Sequence, residues 1–161
     1  MKKIKIYLET TLFNYYFDTD RDGHPATVRM FEAIGRGDYE GYTSEYAIIE
    51  LNNAEIEKQT KMKALIQKYG ITVLQQNNEA DTLASIYIQN KIIPENKILD
   101  ASHIAIASIH DLNTILSFNF KHINKLKTKT MTENINLLHS YKGITICTPM
   151  EVFDDEETEY Y

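Results

Sequence analysis

Apolar residues recur along this chain with two different periods, and the way these alternate is the first guide to the fold. The run Ile4-Lys5-Ile6-Tyr7-Leu8 reads as a strand over about residues 3–8. Shorter runs at 39–42, 71–74, 114–117 and 144–147 read the same way. Helical spacing fills the intervals. A short helix is expected near 10–17, followed by a turn at 18–23. Pro25 suits the first turn of a helix that carries Val28, Phe31 and Ile34 on one face and stops at Gly35 or Gly37. Thr43-Ser44 reads as the cap of a helix carrying Ala47, Ile48, Leu51 and Ala54. Further helices are expected at 57–69, ended by Gly70, at 79–90 with Leu83, Ile86 and Tyr87 inward, at 97–110 beyond Pro94, and around 131–141. Pro149 is expected to begin a short terminal turn.

Strands that alternate with helices imply a parallel sheet covered on both faces. The expected fold is therefore α/β, a three-layer α/β/α sandwich around about five parallel strands. The chain has 161 residues, the length of one domain, and shows no repeat or linker. One unit is expected over residues 1–152, with an acidic tail at 153–161 that contains Asp154-Asp155-Glu156-Glu157.

Composition narrows the class. An apolar fraction of 43% argues against wholesale disorder. No apolar stretch approaches the roughly 20 residues needed to span a bilayer, and Met1-Lys2-Lys3 leads straight into the first strand rather than into the apolar core of a secretion signal. The lone cysteine, Cys147, has no internal disulfide partner and reads as a core residue in a reducing compartment. A cytoplasmic protein with no membrane partner is the expectation. The net charge of -6 does not advertise nucleic acid, but the charge is uneven. No acid lies between Asp111 and Glu133, where Lys121, Lys125, Lys127 and Lys129 cluster. That segment reads either as a solvated face or as a contact to a phosphate backbone.

Candidate chemistry lies where buried segments stop. Glu9 follows the first strand and Asn119 follows the run Thr114-Ile115-Leu116-Ser117-Phe118, while Glu50 and Asp100 sit among apolar neighbours in helices. Acids are costly to bury, so carboxylates in such surroundings point to a role. Gathered together, these positions offer the oxygen ligands that a hard divalent cation requires. In parallel sheets, ligands bind at the carboxyl ends of the strands, beside the switch point of strand order. Each residue also has a structural reading: Glu9 and Asp100 as partners of helix dipoles, Glu50 as an exposed helical acid, Asn119 as a turn former. His103 can share a face with Asp100, three residues earlier, and reads either as a packed, hydrogen-bonded histidine or as a ligand. Thr10 and Ser44 read as helix caps or as donors to neighbouring carboxylates, and His122 as a surface histidine or a phosphate contact. No phosphate-binding glycine loop, Cys-x-x-Cys pair or Gly-x-Ser-x-Gly elbow is present, which argues against an ATPase, a zinc module and a serine hydrolase.

Four stretches in this order resemble the PIN-domain nucleases, including the toxin halves of VapC-type toxin–antitoxin pairs. They are Ile6-Tyr7-Leu8-Glu9-Thr10-Thr11, Thr43-Ser44 with Glu50-Leu51, Asp100-Ala101-Ser102-His103-Ile104-Ala105, and Leu116-Ser117-Phe118-Asn119-Phe120-Lys121-His122-Ile123. The closing Thr148-Pro149-Met150-Glu151 also resembles the ending of one subgroup. The resemblance implies a metal-dependent endoribonuclease with catalytic positions Glu9, Glu50, Asp100 and Asn119. It implies Mg2+ or Mn2+ held by Glu9, Glu50 and Asp100, with Thr10, Ser44 and Ser117 in support. Lys121, His122, Lys125 and Lys127 would contact an RNA substrate, and an antitoxin would bind near the helices of residues 10–34 and 45–69. A homodimer is a further expectation.

The chain departs from the family pattern at two positions. Glu9 stands where Asp is usual and is longer by about 1.5 Å. Asn119 stands where Asp is frequent and removes a charge. One firmly held cation is therefore expected, with any second arriving alongside substrate. These departures also motivate a second reading, a non-catalytic PIN-like module that binds nucleic acid or a partner. A phosphotransfer site is a third reading, but it expects an Asp nucleophile at a strand end.

Overall fold

The computed structural model describes residues 2–158. Among them, five short strands form one sheet: β1 (Lys5–Leu8), β2 (Glu40–Ser44), β3 (Thr72–Leu74), β4 (Thr114–Leu116) and β5 (Thr145–Cys147), in the order β3-β2-β1-β4-β5. Every pairing is parallel. The helices are α1 (Thr10–Phe17), α2 (His24–Gly35), α3 (Glu45–Leu51), α4 (Ile56–Tyr69), α5 (Asn78–Gln89), α6 (Ile98–Ile109), α7 (Leu126–Leu138) and α8 (Pro149–Thr158). The expected α/β/α sandwich is the fold.

The period-2 geometry of the strands divides the core in two. Tyr7, Ile115 and Ile146 point to one face, where they pack with α5, α6 and Tyr46. Ile6, Leu8 and Leu116 point to the other, against α1, α2 and α4. Both alternate sets of the central strands are apolar, so each face of the sheet buries its own cluster. Gly70 ends α4 in the left-handed conformation at φ 67°, where an L side chain would be strained.

Two elements differ from the sequence expectation. Helix α7 begins at Leu126 and ends at Leu138, displaced from the expected 131–141. Its buried residues are Thr128, Thr132 and Asn136, so no apolar stripe marks it. Asn136 instead accepts a hydrogen bond from the Tyr87 hydroxyl and donates to Ser108 Oγ at 2.9 Å, a polar pin between α5, α6 and α7. The expected terminal turn at Pro149 is a helix running to Thr158. Val152 and Phe153 pack against the second core cluster, and Arg29 lies 4.2 Å from the Phe153 ring centroid. The division expected between residues 152 and 153 therefore falls inside α8, while residues 159–161 lie outside the described part of the chain.

Strand order reverses between β1 and β4, since the chain passes from β1 outward to β2 and β3 and then returns to β4 on the other side. A crevice at the carboxyl ends of these two strands is where such sheets place their ligands. Glu9 follows β1 directly and Ser117 follows β4. A backbone bond of 3.1 Å from Glu9 N to Leu116 O ties the two ends together.

Candidate metal centre

Glu9 is only 2% exposed. It is the N-cap of α1, so its carboxylate accepts from Thr11 N at 3.3 Å. The same Oε1 accepts from Thr11 Oγ1 at 2.6 Å and from Ser117 Oγ at 2.7 Å. The helix-cap reading and the site reading are therefore both realised by one side chain. Burial pushes the Glu9 carboxyl upward, and the charge of His103 and these donors only partly oppose it.

Glu50 reaches the same place from α3. Its Oε1 accepts from Thr10 Oγ1 at 2.9 Å and from Nε2 of the fully buried His103. Burial raises the Glu50 carboxyl, but the His103 hydrogen bond and charge more than reverse this, and Glu50 lies below its usual range. For His103 the balance is complementary: burial lowers it, and Glu50 raises it above the usual imidazole value. The two are joined by a hydrogen bond, His103 fully buried and Glu50 partly so.

Donor atoms of Glu9, Glu50 and His103 lie within 4.8 Å of one another. Two ligands about 2.1 Å from a common octahedral ion are at most about 4.2 Å apart, so only a small closure is needed to grip one. The hydrogen bonds to these two carboxylates among the described residues all fall on Oε1 of Glu9 and Oε1 of Glu50. This donor set fits a divalent cation.

Asp100 is not a member of this tightest set. It stands in the first turn of α6, 8% exposed, close enough to His103, Glu50 and His122 to feel their charges. Burial raises its carboxyl, offset in part by His103 and by a hydrogen bond with Asn119. The carboxylate triad expected from sequence is thus two glutamates and an imidazole, with the aspartate beside them. A histidine three residues after Asp100 was the available signal, and only packing could choose between its two readings.

Ser44 has another partner than expected. The Ser44 hydroxyl touches no carboxylate and does not cap α3; it meets the Tyr7 hydroxyl at 2.6 Å. Tyr7 in turn meets His103 Nδ1 at 2.5 Å. The oxygen of Asn119 accepts from His122 N at 3.0 Å in a local turn, the turn-forming role that its sequence position offers. Asn119 also bears on the site through Asp100. Tyr7, Thr11 and Lys97 were not singled out in sequence. Tyr7 shares a sheet face with Glu9 through the strand period, Thr11 follows Glu9 by two residues, and Lys97 helps to lower Glu50.

The basic segment follows β4 and runs into α7. Lys121 is exposed at the end of β4. Lys125 and Lys127 line a groove of about 470 Å3 with Lys91, Pro94 and Glu95, beside the turn that leads into α6. His122 has its Nδ1 buried without a hydrogen-bond partner among the described residues. On the opposite side of Glu9, a cavity of about 720 Å3 opens between α1 and α4, lined in part by Thr11, Tyr15, Phe118, Lys58 and Lys61. Among the described residues, no helix is long and apolar enough to cross a membrane.

Comparison with known proteins agrees with this architecture. The chain is similar to the Mycobacterium tuberculosis toxin VapC20, described as cleaving the sarcin-ricin loop. The TM-score is 0.55 at 11% identity, covering 73% of this chain and 92% of that one. It is also similar to VapBC2 from Rickettsia felis, solved bound to a DNA fragment from their promoter. There the TM-score is 0.56 at 13% identity, covering 89% of this chain and 97% of that one. No curated protein matches the chain in sequence. A family model for the PIN domain matches residues 6–127. The chain belongs to the PIN-domain family.

Proposed function

We propose that this PIN-domain protein is a divalent-metal-dependent endoribonuclease that hydrolyses RNA phosphodiester bonds, as the toxin of a toxin–antitoxin pair. The observation that supports this most is the convergence of Glu9, Glu50 and His103 within 4.8 Å, with Asp100 alongside, at the switch point of the sheet. RNA as the substrate, and an antitoxin as the partner, are drawn from the family and from the described roles of VapC20 and VapBC2.

When bound, Mg2+ or Mn2+ supplies neutralisation of charge on the phosphoryl oxygens and an acidified water. Glu9 and Glu50 would hold the ion, each oriented through Oε1 by its hydroxyl donors. Asp100 is suited to accept the proton of the attacking water. It lies outside the tight donor set, and burial gives its carboxylate more affinity for a proton than an ordinary aspartate. The Asn119 side chain lies beside Asp100 and favours its ionised form. Lys121, Lys125 and Lys127 would follow the RNA backbone, with Lys97 near the phosphate, raising the local concentration of the polyanion despite the net charge of -6. An antitoxin segment would seat in the cavity between α1 and α4, where Tyr15 and Phe118 stack with ring centroids 3.7 Å apart.

The test is cleavage of single-stranded RNA. We expect cutting with Mg2+ or Mn2+, protection by EDTA, and loss of cutting in Asp100→Asn with the circular dichroism spectrum unchanged. Parental cleavage by that variant would remove Asp100 from the mechanism. Failure of the native chain to cut any RNA while still binding metal would favour the non-catalytic module.

A further inference from the structure

We infer that His103 is a direct ligand of the cation and gives this centre a preference for first-row transition ions over Mg2+. The inference rests on the reading of the pocket as a divalent-cation site and names the kind of ion it takes.

The imidazole is held in place through one of its two nitrogens. His103 is fully buried on α6, its ring packed against that of Tyr7 at a centroid distance of 5.6 Å. Its Nδ1 meets the Tyr7 hydroxyl at 2.5 Å, and the same hydroxyl meets Ser44 Oγ at 2.6 Å. With Nδ1–H donating to the Tyr7 oxygen and the Tyr7 hydroxyl donating to Ser44, Nε2 is the nitrogen that an arriving cation would take in place of the proton it shares with Glu50. That nitrogen is the one facing Glu50, and it belongs to the donor set completed by Glu9. A ring fixed through one nitrogen while the other faces carboxylates is the usual arrangement of a metal-ligating histidine, with Tyr7 and Ser44 as the outer partners. Tyr7 and Ser44 are both inaccessible to solvent, so this chain of hydroxyls serves no surface role. Other hydroxyl partners would satisfy a structural tyrosine equally well, whereas these orient the one imidazole of the cluster.

The chemistry follows from the donor set. Mg2+ takes oxygen ligands in a near-ideal octahedron and dehydrates reluctantly. A nitrogen donor shifts preference toward ions that accept imidazole, in the order that runs from Mn2+ upward through Co2+. A site of two glutamates and one histidine therefore favours such ions more than an all-carboxylate site would. Tyr7 is a positioning residue here, acting on the ion only through His103.

The experiment uses the full chain stripped of metal and reloaded with single ions. Electron spin echo spectra of the Mn2+-loaded protein are expected to show the coupling of a directly bound imidazole nitrogen. That coupling should vanish in His103→Gln and persist in His122→Gln. Calorimetric titration should show Co2+ affinity falling roughly 10–100-fold in Tyr7→Phe, which removes only a hydroxyl, with Mg2+ affinity much less affected. Bound Mn2+ without nitrogen coupling, or coupling that survives in His103→Gln, overturns the inference and leaves the carboxylate site standing. Absence of any Mn2+ or Co2+ binding at millimolar concentration overturns both.

Discussion

Ser117 donates its hydroxyl to the Glu9 carboxylate across 2.7 Å, joining positions 108 residues apart in the chain. The same oxygen accepts from Asn119 N at 3.0 Å, so one buried hydroxyl sets both the acid at the end of β1 and the turn after β4. Thr11 performs a parallel function, donating to Glu9 and accepting from Phe118 N at 2.8 Å. The carboxylate is held by the fold before any cation arrives, which is the condition for a preorganised site.

Ser117→Ala should therefore destabilise the protein by about 1–3 kcal/mol, because a buried carboxylate loses a donor and Asn119 N loses its acceptor. Urea unfolding should show a lower midpoint with an unchanged slope. Ser117→Thr, which keeps the hydroxyl, should recover most of the loss.

Glu9→Gln should make the metal-free protein more stable at neutral pH. The sign comes from the raised Glu9 pKa, whose main cause is burial. A carboxyl that holds its proton more tightly when folded imposes no cost below its unfolded value, 4.5. The cost grows as pH rises from there through the folded pKa and is complete above it. Thermal melts in EDTA should thus give Glu9→Gln and the parent similar midpoints near pH 4. The variant should gain a few degrees, roughly 2–8 °C, by pH 7.5. A gain of equal size at both pH values would show that the carboxylate is not under strain from burial.

Asn119→Asp should place a second carboxylate against Asp100. Without metal, the like charges should lower the melting temperature. With Mn2+ in excess, the deficit should shrink or reverse, since any ligand that binds only the folded state adds stability, about 2.7 kcal/mol at a concentration 100 times its Kd. Calorimetry should show a second binding event that the parent lacks. A single event of parental affinity would mean that residue 119 has no influence on the cation.

Lys125→Ala combined with Lys127→Ala should weaken RNA binding similarly for all sequences and reduce the slope of log affinity against log salt by roughly 1 for each lysine lost from a phosphate contact. KM for RNA should rise with kcat little changed, because these side chains line a groove away from the carboxylate cluster. An unchanged salt slope would place the RNA path elsewhere.

Much of the architecture could be read directly from residue order. The strands at Ile6, Thr72, Ile115 and Ile146 are short apolar runs bounded by helices, and parallel pairing buries both faces of such runs, so periodicity and turn residues sufficed. Gly70 ends α4, and Pro94 opens the turn that leads into α6, each where its backbone preference suits it. Helix α7 escaped because its inward positions are Thr128, Thr132 and Asn136, none of them apolar; hydrogen bonds hold Thr128 and Asn136 in place.

At the centre, the chain order alone marked Glu9, Glu50 and Asp100 as acids in apolar surroundings. It did not determine which of them share one cluster. That depends on the pitch of α6, which turns His103 rather than Asp100 toward Glu50, and on the pleat of β1, which sets Tyr7 beneath the imidazole. Residue type states which groups are able to hold a proton or an ion. The distances among side chains drawn from β1, α3 and α6 are properties of packing between elements remote in the chain, and only the folded protein sets them.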